Sequence, residues 1–201
     1  MVPSQRIMIL LFHPLIHKSR VHSRLTKAVE GMDGVLFRRM YDLYPDYHID
    51  VKAEQELLRD HDLIIWQHPW YWYSSPSLLK EWIDLVLEHG FAYGREGRAL
   101  EGKQVMSAIS TGGRREAYLP EGRNRYSIRQ LMAPFEQTAT LCRMEFLPPF
   151  VVHGTHFLEE REILGAAEEY RQVVAMLRDG KYDRDGMQTH EYMNEFIKIG
   201  S

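Results

Sequence analysis

Cysteine is nearly absent: the 201-residue chain has one, Cys142. It has no internal disulfide partner, and its neighbours Leu141 and Met144 mark it as a buried structural thiol, in keeping with a reducing cytoplasm. Long apolar runs are missing as well. None approaches the ~20 residues needed to cross a bilayer, and the short run at 7–12 lacks the longer core and small-residue cleavage site of a signal peptide. A soluble, unexported protein is expected. Positive charge is not in excess: the formal net charge is −3, so no basic stripe marks a nucleic-acid binder.

Several motifs are lacking too. Without GxGxxG or a Walker lysine, neither a dinucleotide Rossmann site nor a nucleoside triphosphatase is indicated. His13-Pro14 stands where a receiver domain needs acidic magnesium ligands after its first strand. Ten histidines invite a metal hydrolase, but no HExxH or strand-end carboxylate cluster accompanies them, so no metal is expected.

What is present is a rhythm. Apolar runs of strand length at 7–12, 35–40, 63–66, 104–109 and 146–152 alternate with amphipathic segments. Strands buried on both faces read as unbroken apolar runs, and parallel strands need helical crossovers. The pattern predicts an α/β, flavodoxin-like three-layer sandwich around a five-stranded parallel sheet in order 2-1-3-4-5. Ser19 caps a helix carrying Val21, Leu25, Ala28 and Val29, which Gly31 ends; Asp50 caps the next, through Ala53, Leu57 and Leu58. Ser75-Pro76 reads as N-cap and first helical residue of a helix facing inward with Leu78, Leu79, Trp82, Ile83, Val86 and Leu87, closed by Gly90. A fourth helix spans 127–142, kinked or restarted at Pro134, and the last covers 159–177. Residues 1–178 form the domain. Residues 179–201 read as a polar tail with a weak apolar face of Tyr192, Met193 and Phe196, expected to fray or to order only against a partner.

In a doubly wound sheet the ligand lies beyond the carboxyl ends of the strands, where strand order reverses, so the loops after strands one, three and four carry the chemistry. The first runs from His13 through Ser19, Arg20 and Val21 to His22. Amides at a helix start, a hydroxyl, a histidine and an arginine suit a phosphate dianion; alternatively, His13 and His17 are ordinary loop histidines and Ser19 only a cap. The second, residues 67–76, contains Pro69, Trp70, Tyr71, Trp72 and Tyr73, and all four tryptophans of the chain fall between Trp66 and Trp82. Such rings suit stacking on a flat heteroaromatic such as an isoalloxazine, or a dimer interface. The third opens Ser110-Thr111-Gly112-Gly113 and continues through Tyr118 to Asn124. Glycine amides and a tyrosine hydroxyl can settle negative charge on a bound ring by the logic of an oxyanion hole, or the glycines can simply make a flexible turn.

With these loops in view, the sequence resembles the NAD(P)H:quinone oxidoreductase family of flavodoxin-like flavoproteins, in particular the ancillary subunits of the bacterial glutathione-regulated potassium efflux (Kef) systems. The likeness rests on His13-Pro14 with Ser19-Arg20-Val21-His22, Tyr44-Pro45-Asp46, Gln67-His68-Pro69, Trp72-Tyr73-Ser74, Leu78-Leu79-Lys80-Glu81-Trp82, His89-Gly90-Phe91-Ala92-Tyr93-Gly94, Thr111-Gly112-Gly113 and Leu147-Pro148-Pro149-Phe150. It implies a homodimer with FMN at each subunit interface. His13 and residues 19–22 would hold the phosphate and ribityl chain, residues 70–73 the isoalloxazine, and residues 110–113 its pyrimidine edge, with Tyr118 settling charge on the reduced ring. His22 stands where asparagine is usual in the family, and Asn124 where mammalian quinone reductases have a catalytic histidine.

The leading expectation is two-electron transfer from NAD(P)H, as hydride through flavin N5, to a quinone or similar electrophile. The alternative is a regulatory module that docks on the cytoplasmic face of a potassium efflux transporter, peripheral to the membrane, with reductase activity secondary. The arginines at 114, 115, 123 and 125 can meet an NADPH phosphate or an acidic partner, or simply form a solvated charged loop. A one-electron flavodoxin carrier fits less well, because its phosphate loop is rich in threonine and glycine.

Overall fold

Successive residues of the first strand point to opposite faces of the sheet: Ile7 and Ile9 into one apolar cluster, Met8, Leu10 and Phe12 into another. In a computed structural model, which describes residues 5–199, that strand is β1 (Ile7–Leu11) and is buried throughout. The chain continues through α1 (Arg20–Val29), β2 (Val35–Arg39), a single turn α2 (Met40–Leu43), α3 (Val51–Asp60), β3 (Leu63–Pro69), α4 (Ser77–Val86) and β4 (Gln104–Ser110). It ends with α5 (Ile128–Leu131), α6 (Ala133–Leu141), β5 (Glu145–Phe146), β6 (Phe150–Val152), α7 (Glu160–Asp179), α8 (Arg184–Gln188) and α9 (Met193–Ile199). The sheet is parallel in the order β2-β1-β3-β4-β5, with β6 also on β4. One face packs against α1, α7, α8 and α9, the other against α3, α4, α5 and α6.

The expected order 2-1-3-4-5 holds, but the fifth strand, read as continuous over 146–152, comes in two pieces. Pro148 and Pro149 have no amide to give the ladder. Val105 pairs with Phe146 and Ala108 with Phe150, so three residues bulge against two and the register slips by one. The third strand runs to Pro69, past its expected end at residue 66, because the polar Gln67 and His68 are buried within it.

Ser19 and Asp50 cap α1 and α3 as expected, each accepting an amide three residues on at 3.1 Å. At α4 the cap is Pro76, extended at φ −57°, ψ 149°, and not Ser75; the helix ends at Val86, so Gly90 belongs to the turn beyond. The helix expected at 127–142 restarts between α5 and α6, with Pro134 in the first turn of the second. Ala53 and Leu57 are only partly buried on α3, and the inward positions are Leu58 and an unanticipated carboxylate. Glu54, fully buried, accepts from Arg38 at 2.5 Å, from the Tyr44 hydroxyl at 2.7 Å and from Trp82 Nε1 at 2.9 Å.

The expected polar tail is folded. Met187 of α8 and Met193 of α9 are completely buried in the core that α7 shares with β1, and Tyr192 is buried in the cluster on the opposite face of the sheet. Residues 1–4 of the expected domain and 200–201 of the tail lie outside the described residues. Cys142 is buried as anticipated, and burial pushes its thiol up to about 11, so it stays protonated and unreactive.

Candidate functional site

The carboxyl ends of β1, β3 and β4 meet where strand order reverses. From β1 the chain passes through a 3₁₀ turn at Ile16–Lys18 into α1. Ser19 Oγ accepts the His22 amide, which leaves its hydroxyl proton and the first helix amides for a ligand. His13 Nδ1 accepts the Leu15 amide at 3.1 Å. Burial, aided by His17 nearby, lowers the His13 pKa to about 4. The ring is thus neutral at pH 7, and with Nδ1 accepting, its proton sits on Nε2 as a donor. Arg20 donates to the Leu158 carbonyl at 3.0 Å, joining α1 to the loop after β6.

His13, Ser19, Arg20, Val21, Pro69, Trp70, Tyr71, Ser110 and Gly112 come together, with Lys18, Thr155 and His156, around a cavity of about 420 Å³. Its lining has lysine, arginine, histidines and hydroxyls but no carboxylate. With the amino end of α1 beside it, the cavity is suited to an anion.

From β3, the Trp70 amide donates to the Ser110 carbonyl at 2.8 Å and holds the ends of β3 and β4 together. Tyr71 and Ser74 exchange backbone hydrogen bonds of 3.1 and 2.9 Å, closing a two-residue hairpin. Its central residues, Trp72 and Tyr73, have φ of +49° and +61°, a geometry normally given to Asn-Gly. Holding aromatic residues there costs about 1–3 kcal/mol each. The hairpin carries Trp72 out to 93% exposure. Trp70, Trp72 and Tyr73 line a second cavity of about 160 Å³ with Tyr118, Arg123 and Asn124, and Trp70 belongs to both cavities. The Tyr73 hydroxyl donates to Asn124 Oδ1 at 3.3 Å.

The third loop is laced to the one after β6. The Thr111 amide donates to the Val152 carbonyl, Thr155 to the Thr111 carbonyl, and Gly154 to the Gly113 carbonyl. Thr111 Oγ1 donates to the Gly113 carbonyl at 2.8 Å and therefore accepts from His153 Nδ1 at 3.2 Å. A Cβ on Gly112 would lie 2.9 Å from His156 Nε2, and one on Gly113 3.2 Å from the Tyr118 ring, so a larger residue at either position would push a neighbouring ring aside. Burial holds the Tyr118 hydroxyl above the usual tyrosine range; Tyr73 adds to this, while Thr111 and Arg123 oppose it. Tyr118 is a protonated donor at neutral pH.

His22, Thr111 and Gly113, also expected at the ligand, line neither cavity. His22 departs most from expectation. It is wholly buried beneath Ser110, with Nε2 3.0 Å from Ser110 Oγ and Nδ1 3.4 Å from Gln67 Nε2. The Tyr170 hydroxyl donates to Gln67 Oε1 at 3.1 Å, and Gln67 Nε2 also reaches Thr26 at 3.3 Å. Because an amide nitrogen donates to Nδ1, the imidazole proton sits on Nε2 and Ser110 accepts it. Burial, with His13 and His68 contributing, keeps His22 neutral. It supports Ser110, which lines the larger cavity, from beneath.

Lys18, Thr155 and His156 were not among the site residues expected from the sequence, whereas Arg123 was one of the four arginines noted beside the third loop. Thr155 and His156 follow the fifth strand, and His153-Gly154-Thr155-His156 directly after an apolar run is the signal that marks them. Of the four arginines near the third loop, Arg123 lines the smaller cavity; Arg114 stacks on Phe157 at 4.5 Å and Arg115 pairs with Glu195. Among the described residues, no three of His, Cys, Asp and Glu gather in a way that would hold a metal ion.

Known proteins share this architecture. Residues 5–174 match the family described as the flavodoxin-like fold. The glutathione-regulated potassium-efflux system ancillary protein KefF of Enterobacter sp. (strain 638) is 43% identical over 166 residues, 83% of this chain and 93% of that protein. The structure of general stress protein 14 from Treponema denticola, in complex with FMN, is 38% identical with a TM-score of 0.82, covering 86% of this chain and 99% of that one. An NADPH-quinone reductase from P. pentosaceus is 33% identical with a TM-score of 0.73, covering 83% and 97%. Fold, strand order and these similarities together place the chain in the flavodoxin-like NAD(P)H:quinone oxidoreductase family, as a homologue of the KefF ancillary proteins.

Proposed function

We propose that this protein is an FMN-dependent NAD(P)H oxidoreductase that transfers two electrons, as hydride, to a quinone or similar electrophile. The observation that carries this reading is the junction at Trp70 of two cavities, one free of carboxylates at the start of α1 and one walled by aromatic rings. The donor set fits the group: Ser19, His13 Nε2, Lys18 and the first amides of α1 would hold the phosphate, and residues 70–73 would flank the isoalloxazine. When bound, FMN supplies the hydride acceptor and donor that no side chain here can provide.

The protein's own residues position rings and balance charge. The Thr111 amide is committed to Val152, so the amide of Gly112, at the wall of the larger cavity, would be the one to face the pyrimidine edge. Tyr118 donates a hydrogen bond toward negative charge that develops there. Asn124, an amide, has no titratable proton to transfer at neutral pH and would serve to orient Tyr73 through its Oδ1. Arg123, which lines the aromatic cavity, would be the arginine to meet a nicotinamide cofactor's phosphate. The exposed Tyr71, Trp72, Tyr73 and Tyr126 support a homodimer in which a second copy covers the open side of the aromatic cavity. Similarity to the Treponema protein, whose structure contains FMN, and to the NADPH-quinone reductase supports the same reading.

The test is anaerobic reduction. NADPH or NADH should bleach the FMN-loaded protein, a quinone should restore the colour, and initial rates should show ping-pong kinetics. Failure of both nicotinamides to reduce it would overturn the assignment.

A second reading follows from the 43% identity to KefF, whose name describes it as ancillary to a potassium-efflux system. In it, the dimer docks on the cytoplasmic side of a transporter and reductase activity is secondary. Among the described residues no helix is long and apolar enough to cross a membrane. Co-purification with a potassium efflux transporter's cytoplasmic domain supports this reading; fast quinone turnover with no such association supports the enzyme alone.

A further inference from the structure

Helices α8 and α9 lie beyond residue 174, where the family match ends. α9 does two things to the neighbouring sheet. It covers the outer edge of the fifth strand: the Val151 amide donates to Asn194 Oδ1 at 2.8 Å, and the Met193 amide to the Pro149 carbonyl at 2.9 Å. An uncovered edge strand would offer those groups to other chains. It also grips the third loop. Arg115 opens the 3₁₀ turn Arg115–Tyr118, forms an ion pair with Glu195 and another with Glu191 at 3.6 Å, and lies 5.0 Å above the Tyr192 ring.

The contact continues inward. The Tyr192 ring meets that of His153 at 5.4 Å; His153 hydrogen-bonds Thr111 and lies 5.7 Å from the Tyr118 ring. Burial, with the Arg115 charge adding and Glu116 opposing, holds His153 down to about 4. It is a neutral, fixed hydrogen-bond donor in this stack.

We propose that the C-terminal helix is a brace for the loop that carries Gly112, Gly113 and Tyr118, with Arg115 as the positioning residue through which it acts. That the braced loop faces FMN rests on the function proposed above; the bracing itself does not. A glycine-bearing loop spanning 111–124 loses much conformational entropy on ordering, and a misplacement of about 1 Å at a reacting centre costs on the order of a hundredfold in rate. One arginine shared by two carboxylates and a ring, closing a stack that ends on Thr111 and Tyr118, limits that freedom.

Arg115 is half exposed, so its substitution leaves the core intact. In flavin-free protein, Arg115→Ala should speed amide exchange across residues 111–124 about three- to tenfold. In FMN-loaded protein it should lower kcat by a similar factor and leave KM for the quinone unchanged; about 1 kcal/mol of positioning corresponds to roughly fivefold. The Glu191→Gln/Glu195→Gln double variant alters only the α9 side and should reproduce both effects, whereas Arg115→Lys should retain most of the wild-type behaviour. Unchanged exchange at 111–124 in Arg115→Ala and in the double variant would overturn the brace. So would a fall in kcat that Arg115→Ala shows and the double variant does not. If FMN does not bind at all, the function proposed above fails, while the exchange measurement still reads the brace.

Discussion

Ser19 has two separable tasks, and one pair of substitutions distinguishes them. Its Oγ accepts the His22 amide at 3.1 Å and caps α1, while its hydroxyl proton is left for a ligand in the carboxylate-free cavity that Ser19 lines. In Ser19→Ala both are lost: about 1 kcal/mol of stability goes with the cap, and about 1.5–3 kcal/mol of FMN affinity goes with a hydrogen bond to a charged phosphate, roughly ten- to a hundredfold in Kd. Ser19→Asp keeps a good capping oxygen and so should unfold in urea with a midpoint close to wild type. It also sets a negative charge beside the phosphate. Two unit charges about 4 Å apart repel by about 4 kcal/mol at an effective dielectric near 20, or about a thousandfold in Kd. FMN fluorescence titration reads the affinity and urea unfolding reads the stability. If Ser19→Asp bound FMN as tightly as wild type, the phosphate would not lie at the start of α1.

Tyr118→Phe removes the donor and keeps the ring; stopped-flow reduction by NADPH should slow about tenfold with FMN affinity unchanged, and an unaltered rate would remove Tyr118 from the chemistry. Burial holds His22, His68 and His153 below their ordinary value of 6.5, His68 and His153 to about 4. The unfolded chain therefore binds more protons than the folded one between about pH 6.5 and pH 4. Stability should be fully present above pH 6.5 and fall with acidification through that window, by up to about 1.4 kcal/mol per pH unit for each histidine involved. Urea midpoints that do not change between pH 7.5 and 5.5 would refute this. Glu54→Ala strands the Arg38 charge and leaves the Tyr44 and Trp82 donors unpaired, so thermal and urea unfolding should show a loss of about 3–5 kcal/mol; a loss below about 1 kcal/mol would mean that the network relaxes.

Strand order and most helix positions were legible because burial on both faces leaves unbroken apolar runs, as in residues 7–12, and because Ser19 and Asp50 cap in the usual way. Gln67 and His68 shortened the third strand for the same reason in reverse: hydrophobicity does not reveal polar groups buried with partners, here Tyr170 and Thr26 for Gln67, and for His68 the Pro69 carbonyl and the rings of Trp70 and Phe135, which cluster with it. The candidate site was legible as three loops but not in its depth. Position in the loop brought His22 near the phosphate, and only the fold shows its ring turned under Ser110. Thr155 and His156 escaped notice because the loop after the fifth strand was not among those at the reversal of strand order. The apolar residues of α8 and α9 are too few and too irregularly spaced to show periodicity, yet Met187 and Met193 each fill a place in the core.

The most direct measurement is equilibrium dialysis of the purified protein against FMN, with the visible spectrum of the retained flavin. One FMN per chain should be bound, with the yellow colour lost on anaerobic addition of NADPH and the stoichiometry falling sharply in Ser19→Asp. A protein that stays colourless and retains no FMN would contradict the assignment of a flavin to the joined cavities at Trp70.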